Sequence, residues 1–275
     1  MKKSLTKAEI GKLRKTVYGY FAQHGRELPW RRDYDPYHIF VSEIMLQQTQ
    51  VDRVAQKFGP FTEALPDFKS LGRAPLSSVL SQWQGLGYNR RAQHLKRAAE
   101  IVMKEHNGAL PSSPDLLVKL PGIGQATAAS ICAFAFNLPT LFLETNIRTV
   151  IIHHFFKNSL SVSDDEILPV AEAVLDKKNP RKWYSALMDY GAMLKIKYGN
   201  ASRKSAHYTR QSKFEGSKRQ LRGKIIKLLV ESKSVSRNSL IKHFHADKHR
   251  IFPVLRELEK EQILFQCSDG YSISH

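Results

Sequence analysis

The sequence predicts an all-α body followed by a small winged-helix-like module. Three observations carry that prediction. Apolar residues recur at helical spacing through most of the chain, and alternating strand patterns are nearly absent before its C-terminal end. Three short amphipathic segments then follow one another: RQLRGKIIKLLVES, SRNSLIKHF and DKHRIFPVLRELEKEQ. Finally, ILFQCSDGYSIS alternates apolar and polar residues around Asp269-Gly270, a hairpin signal.

The elements follow in order. Thr6 and Glu9 form a capping box before a first helix through Phe21. Glu27 to Tyr37 holds two prolines and Trp30 and reads as a loop. HIFVSEIMLQQTQVDRVAQKF reads as one long helix, and the next helices are short, broken by Pro66, Pro75 and Gly85-Leu86-Gly87. A helix from Arg90 to Glu105 follows. Ser113-Pro114-Asp115 starts another, expected to reach Leu120, with proline in the first turn. The spacing then predicts a helix over Gln125 to Phe136, and Ser163 with Glu166 makes a further capping box. The stretch KYGNASRKSAHYTRQSKFEGS is polar and basic, as expected of a linker or arm.

The chain has 275 residues, is 42% hydrophobic and carries a net charge of +18. A surplus that large favours a polyanion, either nucleic acid or an anionic membrane surface. The N-terminal segment has no apolar run of signal-peptide or membrane-span length. Two cysteines, Cys132 and Cys267, exclude a disulfide framework and a four-cysteine metal site. The expectation is a cytoplasmic protein, associated with the nucleoid in a prokaryote. His153 and His154 are adjacent in IIHHFF and so do not share a helix face, which argues against a metal pair. His243, His245 and His249 have no cysteine near them, so zinc is not expected there.

LPGIGQATAAS, Leu120 to Ser130, places two glycines between two helices. Gly122 and Gly124 allow backbone angles other residues avoid, and let the N–H groups of the next helix, at Gln125 and Ala126, approach an anion such as a DNA phosphate. An ordinary helical hairpin has the same punctuation. With LFLETNIRTV after it, the segment resembles the helix-hairpin-helix DNA glycosylase superfamily. PWRRDYDPYHIFVSEIMLQQTQVDRV, WQGLGYNRRAQHL and DYGAM resemble more narrowly the MutY-type adenine DNA glycosylases, over about Leu28 to Met193.

The resemblance implies cleavage of the N-glycosidic bond of adenine mispaired with 8-oxoguanine or guanine, after the base is flipped from the stack. It assigns Glu43 as the acid that protonates the adenine ring, in a partly apolar setting that raises a carboxyl pKa. It assigns Glu144 as the carboxylate that supports an oxocarbenium-like sugar. Relatives normally have aspartate there, so the chain adds one methylene at that position. Asn146 matches the asparagine that orients this carboxylate. Gln48 and Tyr88 match residues that wedge into the duplex, with Gln47 and Thr49 on the same turn. Trp30, Arg31 and Arg32 adjoin the pocket or bind phosphate. Strand-cutting relatives carry a lysine nucleophile where this chain has Ala126, which cannot form a Schiff base, so no lyase activity is expected. Other relatives have tyrosine there.

Most relatives carry a four-cysteine iron–sulfur cluster just after the GAM segment. MLKIKYGNASRKSAHYTRQSKF has no cysteine, so no cofactor is expected, and Arg203, Lys204, Arg210 and Lys213 stand where that loop presents basic residues to DNA. Where the resemblance leads one to expect an 8-oxoguanine-recognition domain, the chain has the winged-helix-like module, expected either to bind DNA through its Asp247 to Gln262 helix or to bind a partner. The expected domains are 1–200, a glycosylase domain of two helical subdomains with the active site in their cleft; 201–217, a basic linker; and 218–275, the winged helix-turn-helix-like domain. The expected partner is double-stranded DNA carrying a mispaired or damaged base, with no membrane, and the chain is expected to act as a monomer. Rival readings are a thymine or uracil mismatch glycosylase of the same fold and a non-catalytic lesion binder.

Overall fold

The computed structural model describes residues 5–208, 212–232 and 234–274. Arg210, one of the basic residues expected to face DNA, lies outside them. The described body is helical: α1 (Lys7–His24), a 3-10 turn (Pro29–Arg31), α2 (Pro36–Leu46), α3 (Val51–Ala64), α4 (Phe68–Arg73), α5 (Leu76–Gln82) and α6 (Arg90–Glu105). There follow α7 (Pro114–Leu117), α8 (Gln125–Phe136), α9 (Thr145–Phe155), α10 (Asp164–Val174), α11 (Pro180–Tyr198) and a second 3-10 turn (Ala201–Lys204). The C-terminal part holds α12 (Lys218–Glu231), α13 (Arg237–His243) and α14 (Lys248–Lys260), then β1 (Leu264–Cys267) and β2 (Gly270–Ile273). The order of the C-terminal part, three helices and then a hairpin, is winged-helix-like as expected.

The chain forms two compact units that do not follow chain order. One comprises residues 1–43, 112–119 and 123–210, the other 44–111, 120–122 and 211–275. In the first, α11 packs on α9 and α1 around buried Trp183, Tyr184 and Leu187. Gly191 of α11 sits so close to α9 that an added Cβ would lie 2.5 Å from the Asn146 carbonyl oxygen. Thr6 and Glu9 cap α1 reciprocally, with Thr6 N–H donating to the Glu9 carboxylate at 2.8 Å. The first residues of the expected linker are ordered parts of this unit. Ser202 and Ser205 are buried, and Val162 bridges Ser205 as in a parallel strand pair.

In the second unit α4 and α5 pack on α6 around Leu71, Leu80, Trp83 and Leu95, and α12 packs on α5. The hairpin β1–β2 is antiparallel with Leu264 opposite Ile273, and Val235 adds a bridge to Tyr271.

The predicted long helix over HIFVSEIMLQQTQVDRVAQKF is corrected: it is two helices, broken at Gln47–Gln50, with Gln48 at φ 54°. The cause is the buried guanidinium of Arg91, which donates to the carbonyls of Ile44, Met45 and Gln47 that a continuous helix would use for its own ladder. The helix expected to reach Leu120 ends at Leu117, and the loop expected over Glu27 to Tyr37 contains the first 3-10 turn. Gly191→Ala tests the α9–α11 contact. It should cost about 2 kcal/mol by overpacking, read as a lower midpoint in urea unfolding.

Candidate active site

The candidate site of the first unit is built on α2, α8 and α9 with support from α11. Glu43 leaves α2 between buried Ser42 and Ile44. The Ser130 hydroxyl, the one polar side chain among the buried positions of α8, donates to the Glu43 carboxyl. Burial pushes the Glu43 pKa up to about 7. The negative charge of Glu144 pushes the same way, and the Ser130 hydrogen bond and the Arg31 charge oppose it. Glu43 is therefore a carboxyl that holds its proton close to neutral pH.

Glu144 is the N-cap of α9, with extended backbone (φ −135°, ψ 162°), and its carboxylate accepts the Asn146 backbone N–H at 3.0 Å. Its charge thus sits on the positive end of a helix. The Asn146 amide points elsewhere, to the Met188 sulfur at 3.7 Å. Lys195 on α11 is close enough to feel the Glu144 charge, while burial lowers its pKa.

Arg31 is placed by Asp189, the buried acid of DYGAM. Asp189 accepts from Arg31 Nη1 at 2.9 Å and Nη2 at 3.0 Å, and from the Arg26 N–H and Nε, both at 2.8 Å. Burial alone would raise the Asp189 pKa, but the two guanidinium groups outweigh it and hold the carboxyl below its ordinary range. Trp30 is buried beside Arg31, whereas Arg32 only closes the 3-10 turn.

The glycine loop divides its labour. Gly122 has φ +80°, and an added Cβ would lie 2.9 Å from the His94 ring nitrogen, so no other residue fits. Gly124 is corrected: it has ordinary extended backbone, caps α8 without a side chain, and faces open space. Gln125 and Ala126 are exposed at the first turn of α8 and line a cavity of about 450 Å3 with Arg148 and Asp164.

In the second unit Gln47, Gln48, Thr49 and Tyr88 come together around Arg91. That guanidinium makes six hydrogen bonds, to the carbonyls of Ile44, Met45, Gln47, Leu86 and Gly87 and to the Thr49 hydroxyl. It also lies 5.3 Å from the Trp83 ring centroid, and the Trp83 indole donates to the Gly87 carbonyl at 3.0 Å. Burial lowers the Arg91 pKa to about 10. Two loops are thereby fixed, each carrying a non-glycine residue in left-handed backbone, Gln48 at φ 54° and Tyr88 at φ 47°. The Gln47 amide donates to the Gly122 carbonyl at 3.2 Å and ties the first loop to the glycine turn.

Ser130, Asp189 and Arg91 are the residues that sequence reasoning missed. The one hydroxyl inside the apolar run AASICAFAF was the available signal for Ser130. None distinguished Arg91 from Arg90. Among the described residues no group of His, Cys, Asp and Glu is arranged to hold a metal, and no helix is long and apolar enough to cross a membrane. His154 packs on Tyr190, its ring nitrogen 3.0 Å from the phenol, and burial takes its pKa down to about 4. Of the basic residues after α11, Arg203 and Lys213 are exposed, while Lys204 donates to the Lys157 carbonyl at 2.8 Å.

Two outcomes follow from this geometry. Arg91→Lys should cost at least about 3 kcal/mol in urea unfolding, because an ammonium cannot reach six acceptors and leaves buried carbonyls unpaired. Glu43→Gln should be stabilising at alkaline pH. The raised pKa means the folded protein keeps a proton that the unfolded chain loses above 4.5, so wild-type stability falls as pH rises toward 7. The gap between variant and wild type should therefore widen from about pH 5 to about pH 8 in thermal melts.

A family model for the HhH-GPD superfamily of base excision DNA repair proteins matches residues 41–168. An adenine DNA glycosylase of Buchnera aphidicola is 36% identical over 184 residues, 66% of this chain and 52% of that protein. One from Mycolicibacterium smegmatis is 29% identical over 263 residues, 89% of this chain and 90% of that protein. The chain thus spans about half the length of the first of these relatives. Among solved structures, a thermostable thymine-DNA glycosylase aligns with a TM-score of 0.62 at 23% identity, covering 74% of this chain and 99% of that one. A non-covalent endonuclease III–DNA complex aligns at 0.56 and 20% identity, covering 82% and 100%. Residues 41–168 thus carry an HhH-GPD domain, the chain has the fold of the helix-hairpin-helix DNA glycosylases, and the sequence relatives it matches are adenine DNA glycosylases.

Proposed function

We propose that this protein is a monofunctional adenine DNA glycosylase that hydrolyses the N-glycosidic bond of adenine mispaired with 8-oxoguanine or guanine. The observation that carries the reading is the pair of unlike carboxyls in one site. Glu43 is held protonated near neutral pH by burial, and Glu144 is a carboxylate capping a helix. Environments that push two carboxyls apart supply an acid and an anion for glycoside chemistry. Glu43 gives its proton to a ring nitrogen of the flipped adenine as the bond to C1′ breaks. Glu144 faces the positive charge that develops on the sugar. Water then adds its oxygen to C1′, and its released proton restores the acid. The Ser130 hydroxyl holds the Glu43 carboxyl in place, and the Asp189-bound Arg31 limits how far its pKa rises.

Ala126 stands where a Schiff-base lysine would be needed, so the product is an intact abasic strand. The uncovered first turn of α8 at Gly124, Gln125 and Ala126 receives a backbone phosphate. Gln48 and Tyr88, held by Arg91, enter the duplex beside the extruded base. The chemistry uses no metal or cofactor.

Single-turnover base release on duplexes with A opposite 8-oxoguanine, A opposite G, and T or U opposite G tests the reading. Adenine release is expected, with strand breaks only after alkali. Glu43→Gln and Glu144→Gln should each reduce the rate at least about a hundredfold. The rate should fall as pH rises through about 7, where Glu43 loses its proton. Release from T or U alone would reassign the substrate, and tight binding without release would make the chain a lesion binder.

A further inference from the structure

The second unit contains a cavity of about 730 Å3, walled on one side by the Gln84–His94 segment and on the other by α12. The volume lies in the range, roughly 300–1,000 Å3, of cavities that enclose a small ligand. Two aromatic side chains stand exposed on its wall, Tyr88 at 36% and Phe214 at 58%.

The remaining wall is cationic. Arg219, Lys224 and Lys227 come from α12 and Arg90 from α6. The two acids on the wall are already engaged: Glu257 by Lys218, and Glu261 by Arg222 at 2.5 Å. Lys224 and Arg90 make no ion pair among the described residues. Arg219 Nη1 donates to the Tyr88 hydroxyl at 2.7 Å, and its guanidinium carbon lies 5.6 Å from the Tyr88 ring centroid. The backbone at Tyr88 and at Gln48, on the same wall, is held in the left-handed region, a conformation that persists only when its surroundings impose it.

Aromatic platforms inside a positively charged groove suit one chemistry: a base with its π-face free, joined to phosphates. A fully stacked duplex offers cations its phosphates and gives the aromatic rings nothing to cover. We propose that this cavity receives one unstacked nucleotide of a DNA strand. Its base lies against Tyr88 and Phe214, and its phosphates rest on Arg219, Lys224 and Lys227. The first helix of the winged-helix-like part, rather than α14, is then a working face of the DNA-binding surface. The inference rests on DNA being the substrate.

The test uses the full chain carrying Glu43→Gln and two fluorescein-labelled duplexes of one sequence. One is fully paired; the other carries a single bulged 2-aminopurine nucleotide. The parent is expected to bind the bulged duplex more tightly and to quench the 2-aminopurine as it stacks. Phe214→Ala should remove the quenching and about tenfold of the bulge preference. Lys224→Ala and Lys227→Ala should each lower the slope of log affinity against log salt by about 1. All three positions are exposed, and unchanged thermal midpoints will show that the variants fold. Equal affinity of parent and Phe214→Ala for the bulged duplex, or quenching that survives the substitution, would overturn the proposal. So would a loss equal on both duplexes, which would leave a plain phosphate-binding surface. Base release by the wild type is scored separately. Bulge preference without base release would end the glycosylase reading alone, and base release with no bulge preference would end this one alone.

Discussion

The second unit is organised around one buried cation. Among the described residues Arg91 has no carboxylate partner; its two terminal nitrogens donate to five carbonyls and a hydroxyl from the end of α2 and two loops, and its buried Nε has no hydrogen-bond partner. Backbone oxygens left without partners by a broken helix and a glycine-rich turn are thereby satisfied together. The arrangement is rigid because each loop depends on the same planar group, and that rigidity is what allows Gln48 and Tyr88 to persist in left-handed backbone. Side chains held in one conformation lose less entropy on meeting a partner than mobile ones do.

The first unit solves a different electrostatic problem. It sets two carboxyls, Glu43 and Glu144, close enough for the charge of one to act on the other. Burial raises the pKa of Glu43, and the Glu144 charge raises it further. Glu144, longer than aspartate by one methylene, finds a partner on its own helix. The side chain folds back to cap α9, and the Asn146 N–H holds the carboxylate at 3.0 Å. Below this pair, Asp189 anchors Arg26 and Arg31, which explains an acid in an otherwise apolar stretch of α11.

The stretch 200–205, just after α11, makes several contacts with the rest of its unit. A 3-10 turn capped by Asn200, the bridge from Val162 to Ser205 and the Lys204 contact with the Lys157 carbonyl hold it against α9. Farther on, the winged-helix-like part is joined to α6 by specific bonds. The Gln93 amide donates to the carbonyls of Glu261 and Gln262 at 2.7 and 2.9 Å, which turns the C-terminal end of α14 toward α6. The basic face of α12 is left lining the cavity with Tyr88.

The sequence by itself determined the helices that have their own punctuation. The capping boxes at Thr6 and Ser163 and the span Gln125 to Phe136 were legible, because caps and apolar periodicity are local properties. The motif residues were legible as types: Glu43, Glu144, Gln48 and Tyr88 stand in segments whose order resembles a family. What only the tertiary structure decided was their electrostatic state and support. The break of one predicted helix into α2 and α3 depends on a guanidinium more than forty residues away, and the Glu43 proton depends on Ser130 and Glu144, roughly a hundred residues away. Carbonyl satisfaction, burial and charge proximity are properties of space, and spacing along the chain does not encode them.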